Sequence, residues 1–482
     1  MPLPFSRRWH WGAFGIATFL LLLGVGLWRR NLAQDLSPSI PLAPPLPQDP
    51  FIQVYFNQSA SALYTDPYRQ QERLGDDLEA VIVEAIATAQ SSIDVAVQEL
   101  QLPRVAQALR DKQASGVRVR VILENQYSTP PSQLTPQQIS KLDERDRADY
   151  QEFLYFADMD GDRHVTAAEI DERDALAMLK AARIPIIDDT ADGSKGSDLM
   201  HHKFVVIDQS RVIVGSANFT LSGTHGDFTS LTSLGNANHM LSIESGELAQ
   251  IFSREFERMW GDGPGGADDS LFGLQKPYRS AETVAIAPSS SITVQFSPSS
   301  ASRYSWEDST NGLIGRTLDR AESSIDLALF VFSDQPLSDK LERRHQSDVS
   351  IRALIDAGFA YRDYSEALDM LGIGLVSDRC VYEDGNHPWM RPLETVGVPQ
   401  LADGDVLHHK FGVIDQRVVI TGSQNWSNAA NHSNDENLLV IENPTVAAHF
   451  QREFDRLYST ASLGIPPWLN DKVGDRQQQC GL

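Results

Sequence analysis

Cysteine is almost absent from this sequence of 482 residues, which contains only Cys380 and Cys480. Two cysteines cannot build a disulfide framework or a cysteine-rich zinc site, so both classes of small stabilised domain are excluded. One bridge between them is conceivable, but Cys480 lies in a polar C-terminal segment, and such segments are seldom held in place. The sequence therefore favours two unbridged cysteines.

Positive charge is also scarce, because 41 lysines and arginines face 65 aspartates and glutamates, and the net charge is −24. Proteins that coat long nucleic acids depend on lysine and arginine to neutralise phosphates, so this class is disfavoured. An acidic body is also repelled by anionic lipid headgroups unless cations intervene. A small cationic pocket is still compatible with this composition.

The long apolar run from Trp11 to Trp28 is flanked by Arg7-Arg8 and Arg29-Arg30. It is just long enough to cross a bilayer, and it carries Trp at both ends, where the membrane interfaces would lie. A cleaved signal peptide is the alternative, but its apolar core is usually shorter and is followed by small residues. We expect a retained anchor within residues 1–34 and a proline-rich linker over residues 35–50.

This anchor predicts a protein that is membrane-anchored by its N-terminus, in the cell envelope or on the extracytoplasmic side. Arginines on both sides of the run leave the orientation open, because the positive-inside rule needs a charge difference between the two flanks.

One motif is present twice: His-x-Lys, four further residues, Asp, and then Gly-Ser-x-Asn. The first copy supplies His201, Lys203, Asp208, Ser216 and Asn218, and the second supplies His408, Lys410, Asp415, Ser423 and Asn425. The apolar residues after each lysine predict a strand, whose two-residue period sends the histidine and the lysine to the same face. His202 and His409 then point to the opposite face, and we expect them to be packing residues.

The segments before each motif are repeated as well, as Ser91–Ala96 and Ser323–Ala328 show. Each half has the order β-α-β-α-β, which predicts an α/β fold with a largely parallel sheet. The expected divisions are a first half at 51–261, a linker at 262–291, a second half at 292–460 and a C-terminal tail at 461–482. Packing of the halves about a pseudo-two-fold axis would bring the motifs together, so a monomer is expected.

These residue types suit a phosphodiester. Histidine can act as a nucleophile or proton carrier near neutral pH, and lysine supplies a fixed cation for anionic oxygens. Serine and asparagine add neutral donors. A metal site is the alternative, but two lysines beside two histidines would repel a cation.

The doubled motif resembles that of the phospholipase D superfamily, over essentially the whole of residues 52–460. The resemblance implies a two-step mechanism without a catalytic cofactor, in which His201 attacks phosphorus. It further implies that His408 protonates the leaving alcohol and then deprotonates the incoming water or alcohol.

The resemblance also assigns supporting roles. Phosphoryl oxygens would be held by Lys203, Lys410, Asn218 and Asn425, with Ser216 and Ser423 hydrogen-bonded around them, while Asp208 and Asp415 would orient the motif. Members of the family often carry an acid after the Gly-Ser-x-Asn turn, which orients the histidine of the other half. Glu436 fits this position for His201. The first half has Asn238 there, so the partner of His408 is open, with Asp227 as a weak candidate.

An insert at about 126–182 distinguishes the first half. Its segment 158–169 resembles an EF-hand calcium loop, with Asp158, Asp160, Asp162 and Glu169 as oxygen ligands. Predicted helices at 136–156 and 168–180 flank it. Arg163 occupies the place of the usual turn glycine, and an acidic solvated loop is the alternative. If calcium binds, we expect a structural clamp.

The sequence predicts a phospholipase D-type phosphodiesterase that hydrolyses phospholipid headgroup esters at a membrane. The alternatives are an endonuclease of the same superfamily acting on DNA or RNA, and a cardiolipin-synthase-like phosphatidyltransferase. An inactive binding protein is disfavoured, because both histidines and both lysines are present. Headgroup preference, and hydrolysis rather than transfer, are open from the sequence.

Overall fold

The structure is a computed structural model that describes residues 42–194 and 196–482. The predicted anchor at residues 1–34 lies outside the described residues. Within the described ranges, none of the helices combines the length and the apolar character needed to cross a membrane. Residues 44–482 form one compact unit.

The described residues of the first half form nine strands and eight α-helices. The strands are β1 Ile52–Phe56, β2 Leu63–Thr65, β3 Glu72–Leu74, β4 Ser92–Val97, β5 Arg118–Leu123, β6 Ile186–Asp188, β7 Lys203–Ile207, β8 Arg211–Gly215 and β9 His239–Glu244. The helices are α1 Leu78–Ala87, α2 Pro103–Ala114, α3 Pro136–Lys141, α4 Glu144–Ala157, α5 Ala167–Arg173, α6 Ala175–Ala181, α7 Leu221–Thr224 and α8 Gly246–Trp260.

The second half and its linker repeat this order without the insert. The strands are β10 Glu282–Ala287, β11 Ser290–Phe296, β12 Ser324–Leu329, β13 Phe332–Ser333, β14 Ser350–Ile355, β15 Val396–Val398, β16 Lys410–Ile414, β17 Val418–Gly422, β18 Trp426–Ser427, β19 Asn437–Glu442 and β20 Ser462–Leu463. The helices are α9 Thr310–Leu318, α10 Gln335–Gln346, α11 Glu366–Met370, α12 Asn428–His432, α13 Pro444–Tyr458 and α14 Pro467–Cys480.

Each half is built on a mixed sheet. The first has the strand order β1-β9-β8-β7-β4-β5-β6, and the second has the order β10-β11-β19-β17-β16-β12-β14-β15-β20. Strands β4, β5 and β6 run parallel, whereas β1, β9, β8, β7 and β4 pair antiparallel in succession.

The prediction of a largely parallel sheet was therefore wrong. The physical reason is the tight turn after each motif strand, where Asp208 and Gln209, and likewise Asp415 and Gln416, have positive φ. Such a turn reverses the chain and makes an antiparallel hairpin with the next strand.

Alternating side chains of the motif strands face two different hydrophobic cores. Phe204 and Val206 face a core that contains residues of both halves, including Phe252 of α8 and Phe450 of α13. Val205 faces the outer core of the first half, beneath α1 and α2. The two sheets therefore pack through a shared layer of helices, as the expectation of two packed halves requires.

A buried charge cluster lies where the linker meets both halves. Lys276 Nζ lies 2.5 Å from Glu255 Oε1 on α8 and 2.7 Å from Asp435 Oδ1 in the second half. The guanidinium of Arg279 lies 3.2 Å from the other oxygen of Glu255. All four side chains are buried, so the linker ties the two halves together through paired charges.

Two predicted helices of the insert are broken into shorter ones. Asp143 ends the first segment and caps α4, accepting the N–H of Asp146 at 2.9 Å. Asp174 caps α6 in the same way, accepting the N–H of Ala177 at 3.0 Å. Aspartate at these positions satisfies N–H groups that an uninterrupted helix would bond to its own carbonyls.

The C-terminal segment differs from the sequence expectation. Cys380 and Cys480 form a disulfide bond, so the interpretation of two unbridged cysteines was wrong. The segment is not a loose tail, because α14 anchors its buried Leu469 in the core and Lys472 donates to the Tyr361 carbonyl at 3.0 Å. Because α14 packs against the second half in this way, Cys480 at its end lies next to Cys380.

Candidate active site

The two motif histidines meet at one cavity of about 1030 Å³. His201 and Asn218 line it from the first half, and His408 and Asn425 line it from the second. Helix α4 of the insert forms a further wall. A cavity of this volume can hold a phosphodiester group together with much of the two alcohol portions that the phosphate joins.

Backbone pairing across the halves fixes this meeting. The N–H of His201 donates to the Asp435 carbonyl at 3.0 Å, and the N–H of His408 donates to the Ala237 carbonyl at 3.1 Å. Each histidine is therefore held by the segment that precedes β19 or β9 of the opposite half. This reciprocal arrangement is the pseudo-two-fold relation that the repeated sequence predicts.

His201 is oriented by a carboxylate. Its Nδ1 lies 2.7 Å from Glu436 Oε2, and both side chains are buried. Because an ionised Glu436 accepts the Nδ1 proton, the lone pair of a neutral ring lies on Nε2. Burial lowers the pKa of His201 well below its usual value, with further lowering by Lys203 and Lys410. Burial raises the pKa of Glu436 to about 7.

His408 is oriented by an amide instead, which answers the open question of its partner. Its Nδ1 lies 2.9 Å from Asn238 Oδ1, which also accepts the Ser216 hydroxyl at 2.8 Å. The Asn238 amide nitrogen donates to the Gly223 carbonyl at 3.0 Å, so its oxygen is the atom that faces the ring. Asp227 makes no hydrogen bond to His408.

The two motif lysines are buried beneath the histidines. Lys203 Nζ donates to the His201 carbonyl at 3.0 Å and to Gln98 at 3.3 Å, and Lys410 Nζ donates to the His408 carbonyl at 2.9 Å. Burial lowers the pKa of Lys203 to about 8. Burial and repulsion by Lys203 lower the pKa of Lys410 well below its usual value. A bound anion would relieve both effects.

The glycine and serine of each Gly-Ser-x-Asn turn support the orienting residues. A Cβ on Gly215 would lie 2.2 Å from the His239 carbonyl oxygen, so only glycine permits this approach of β9. Ser216 Oγ accepts the His239 N–H at 3.1 Å, and Ser423 Oγ accepts the Asn437 N–H at 3.0 Å. The serines therefore fix the segments that carry Asn238 and Glu436.

The two motif aspartates lie at the far end of their strands, away from the cavity lining. Asp208 accepts the N–H groups of Gln90, Ser91 and Ser92, and Asp415 accepts the equivalent groups at the start of β12. Neither aspartate lines the cavity. They tie the hairpin of the motif to the neighbouring strand.

His202 and His409 lie on the opposite face, as predicted. His409 Nε2 lies 3.1 Å from Glu453 on α13, and His202 Nε2 lies 3.7 Å from Glu255 on α8. Both rings are buried in the layer between the sheets. They couple the motif strands to the central helices.

Sequence reasoning missed two equivalent carboxylates, Glu124 after β5 and Asp356 after β14. Glu124 accepts the N–H of Met200 at 2.6 Å, and Asp356 accepts the N–H of Leu407 at 2.8 Å. Each thus fixes the residue just before a motif histidine. Their matching positions in the two copies were a signal, since both acids directly follow a repeated strand.

Three of the four predicted calcium ligands lie together at the insert loop between α4 and α5. Carboxylate oxygens of Asp158, Asp160 and Asp162 lie within 4.8 Å of one another. Glu169 accepts the N–H groups of Met159 and Thr166 at 2.7 and 2.8 Å, and hydrogen bonds from Thr166 hold its pKa at about 2. Arg163 has a φ of 69°, so it adopts the turn that glycine usually makes. The donor set suits a hard cation.

The family described as "Cardiolipin synthase, PLD-like domain" matches residues 82–260 and 314–458. Proteins named mitochondrial cardiolipin hydrolase from Mus musculus and Homo sapiens are each 34% identical to this chain over 145 residues, which is 30% of the chain. The match covers 55% of the mouse protein and 48% of the human one, so the chain spans about half the length of these curated relatives.

Among solved structures, phosphatidylserine synthase from Haemophilus influenzae Rd KW20 has a similar fold, with a TM-score of 0.53 at 13% identity. That likeness covers 94% of this chain and 96% of the other. The family match extends over both halves and includes both motifs. This chain therefore belongs to the PLD-like domain family of the phospholipase D superfamily.

Proposed function

We propose that this protein is a phospholipase D-type phosphodiesterase that hydrolyses the headgroup ester of phospholipids. The observation that carries the proposal is the pair of oriented histidines on one cavity, each placed by the opposite half and each backed by a buried lysine. This arrangement can bind a phosphodiester anion, attack it and move a proton to the leaving group.

In the first step, His201 Nε2 attacks phosphorus, and the bond from phosphorus to the headgroup oxygen breaks. Glu436 stabilises the positive charge that develops on the ring of His201. The bound anion offsets the repulsion from Lys203 and Lys410 and so raises the pKa of His408. The protonated His408 then donates its Nε2 proton to the departing alkoxide.

In the second step, His408 removes a proton from water, and the resulting hydroxide attacks phosphorus. The bond from phosphorus to His201 Nε2 breaks, which releases phosphatidic acid and restores both rings. Lys203 and Lys410 stabilise the charge on the phosphoryl oxygens in both transition states. If an alcohol replaced water here, the same residues would perform a transfer.

The lipid substrate is supported by three features. Mouse and human relatives are named cardiolipin hydrolases, the net charge of −24 disfavours tracking along nucleic acid, and the cavity is lined by apolar as well as polar residues. The test is release of headgroup from phospholipid vesicles, which we expect to vanish in His201→Ala. Cleavage of single-stranded DNA or RNA without lipid turnover would establish the nuclease alternative.

The unequal histidines can be told apart by trapping the intermediate. With an activated substrate whose leaving group departs without protonation, such as a p-nitrophenyl ester, we expect His408→Ala to accumulate phosphorus on His201, since attack proceeds but the hydroxide is no longer generated. His201→Ala should accumulate none. The reverse labelling pattern would exchange the two roles. Adding glycerol or another alcohol, and searching for a phosphatidyl product, separates hydrolysis from transfer.

We further infer an extracytoplasmic, membrane-anchored monomer. The Cys380–Cys480 bridge supports this location, because disulfide bonds persist mainly in oxidising compartments. Both motifs lie in one chain and complete one cavity, so a second copy is not required. Protease protection in oriented membrane vesicles tests the location, and light scattering tests the monomer.

Calcium binding at the insert loop is a separate proposal. We expect Asp158, Asp160, Asp162 and Glu169 to bind one Ca²⁺ through their carboxylate oxygens, and thereby to clamp α4 to α5. Titration calorimetry should give binding heat, and calcium should raise the melting temperature relative to a chelator. Asp160→Ala should lose both effects. No heat, with an unchanged melting temperature, would overturn the proposal.

A further inference from the structure

The walls of the cavity differ between the two halves at the ends of the equivalent strands β4 and β12. After β4 the chain continues with Gln98 and Glu99, whereas after β12 it continues with Phe330 and Val331. Gln98 accepts a hydrogen bond from Lys203, while the face of Phe330 lies 5.0 Å from Lys410 Nζ. The first-half wall is therefore polar where the second-half wall is apolar.

Glu99 is a buried carboxylate that the proposed mechanism does not use. It lines the cavity with only 6% of its surface exposed, and its Oε1 accepts the side-chain amide of Asn218 at 2.9 Å. This bond occupies one of the two side-chain N–H groups of Asn218. Within the described residues, Asn218 Oδ1 has no hydrogen-bond partner. Glu99 Oε2 has only a long contact, 3.5 Å from Gln101 Nε2, so this oxygen and Asn218 Oδ1 are acceptors available to a ligand donor.

Asn425, the counterpart of Asn218, is placed differently. Its neighbour at the position equivalent to Glu99 is Val331, which cannot accept a hydrogen bond. Across the part of the chain that the structure describes, the Asn425 side-chain amide forms no hydrogen bond, and its Oδ1, like that of Asn218, has no partner. Both of its N–H groups are therefore available to a phosphoryl oxygen, whereas one of those of Asn218 is taken.

Burial and the charges around it set the ionisation of Glu99. Burial raises the pKa of Glu99 to about 7, and Asp149 and Asp146 of α4, which line the same cavity, act in the same direction. Arg145, which also lines the cavity, and Lys203 act more strongly in the opposite direction. Glu99 therefore ionises near neutral pH, and a cationic or hydroxyl donor beside it would stabilise the charged form.

We propose that Glu99 and Asn218 Oδ1 form a subsite that accepts hydrogen bonds from the headgroup of the substrate. This inference rests on the proposed lipid hydrolysis. The diacylglycerol part of a phospholipid carries ester oxygens and no donors, so a donor must come from the headgroup. The substrate class is then phospholipids whose headgroup has an ammonium N–H or a hydroxyl, such as ethanolamine or glycerol. Choline, which has neither, is disfavoured.

Phosphatidylethanolamine and phosphatidylcholine provide a matched pair of substrates, because both are zwitterionic and differ only by three methyl groups. In detergent micelles of equal substrate fraction, we expect kcat/KM for the ethanolamine lipid to be about tenfold higher or more, since one charge-assisted hydrogen bond is at stake. Glu99→Gln should reduce this ratio to about one, because it removes the charge.

Asp149→Asn is the matched control, since it removes one carboxylate from the same cavity without contacting Asn218. It should keep the ratio within about threefold of the original, on the scale of weak charge effects. If Glu99→Gln fails to fold, Glu99→Asp retains the charge and should retain a preference for ethanolamine.

Equal kcat/KM for the two lipids, or an unchanged ratio in Glu99→Gln, would overturn the subsite while leaving hydrolysis intact. Absence of hydrolysis for every lipid would instead overturn the proposed function itself.

Discussion

At the residue scale, the two halves of the site are similar in position and unequal in chemistry. Glu436 orients His201 through a carboxylate, whereas Asn238 orients His408 through a neutral amide. The sequence identified both histidines and Glu436, because the motif is specific. It could not assign Asn238 to His408, since an asparagine after a turn is equally suited to many backbone contacts, and only the fold shows which one it makes.

Exchanging the orienting groups should separate their effects on activity. Glu436→Gln should lower kcat by about 10²-fold, because His201 loses the carboxylate that stabilises its developing charge. Asn238→Asp should shift the pH profile of kcat/KM upward, since a carboxylate beside His408 raises the pKa of that ring. Steady-state kinetics from pH 5 to pH 9 measure both changes. An unshifted profile in Asn238→Asp would contradict the observed contact.

The buried Glu436 should also make stability depend on pH. Burial raises its pKa to about 7 in the folded protein, above the ordinary value of 4.5, so the folded state holds this proton more tightly than the unfolded state. The associated stability is complete below about pH 4.5 and is lost as pH rises to about 7. Glu436→Gln should therefore gain melting temperature relative to the wild type from pH 4.5 to pH 8. A constant difference would contradict the raised pKa.

At the element scale, the strands were predicted well and their order was not. The motif strands and the strands before them appear where apolar periodicity placed them. Sheet order depends on turns and on pairing between distant segments, such as β1 with β9, which local periodicity does not encode. Helix α14 was missed because it buries only one residue, Leu469, and so has little apolar pattern.

Helix α14 braces a wall of the cavity. Trp468 packs against Tyr361 with ring centroids 5.1 Å apart, and the neighbouring Phe359 and Arg362 line the cavity. Phe359 in turn contacts Phe330, which lies beside His408. This chain of contacts connects the C-terminal helix to His408.

Cys480→Ser should loosen this brace. The bridge spans a sequence separation of 100 residues, and its loss should cost about 2–4 kcal/mol in the free energy of unfolding. Hydrogen exchange should accelerate in residues 467–480 and around Tyr361. Adding a dithiol to the wild type should reproduce the change and have no further effect on Cys480→Ser. Unchanged exchange at Tyr361 would show that Trp468 and Lys472 suffice without the bridge.

At the scale of the whole molecule, the site exists only because the halves are joined. The repeated sequence predicted two halves in contact, and the shared core between the sheets confirms this arrangement. What the sequence did not show is that the linker takes part: β10 extends the second sheet, and Lys276 pairs with both halves. The amino-acid composition of the linker does not indicate which distant residues it pairs with.

Lys276→Met should weaken the junction. It leaves the carboxylates of Glu255 and Asp435 with less compensation in a buried site, and we expect a loss of about 3–5 kcal/mol in the free energy of unfolding. Activity should fall too, since Asp435 holds the backbone of His201. Arg254→Met is the matched control, because its pairing with Glu282 is exposed and worth at most about 1 kcal/mol. Equal losses in the two variants would contradict a special role for Lys276.

The reciprocal backbone pairing, His201 with Asp435 and His408 with Ala237, has a consequence for how such a site can diverge. In an assembly of two identical chains, one gene would specify the neighbours of both histidines, and every substitution would change both sides together. Fusion of the two copies into one chain removes that constraint. Each copy can then acquire its own substitutions. Asn238 in the first half and Glu436 at the equivalent position of the second half are one such difference.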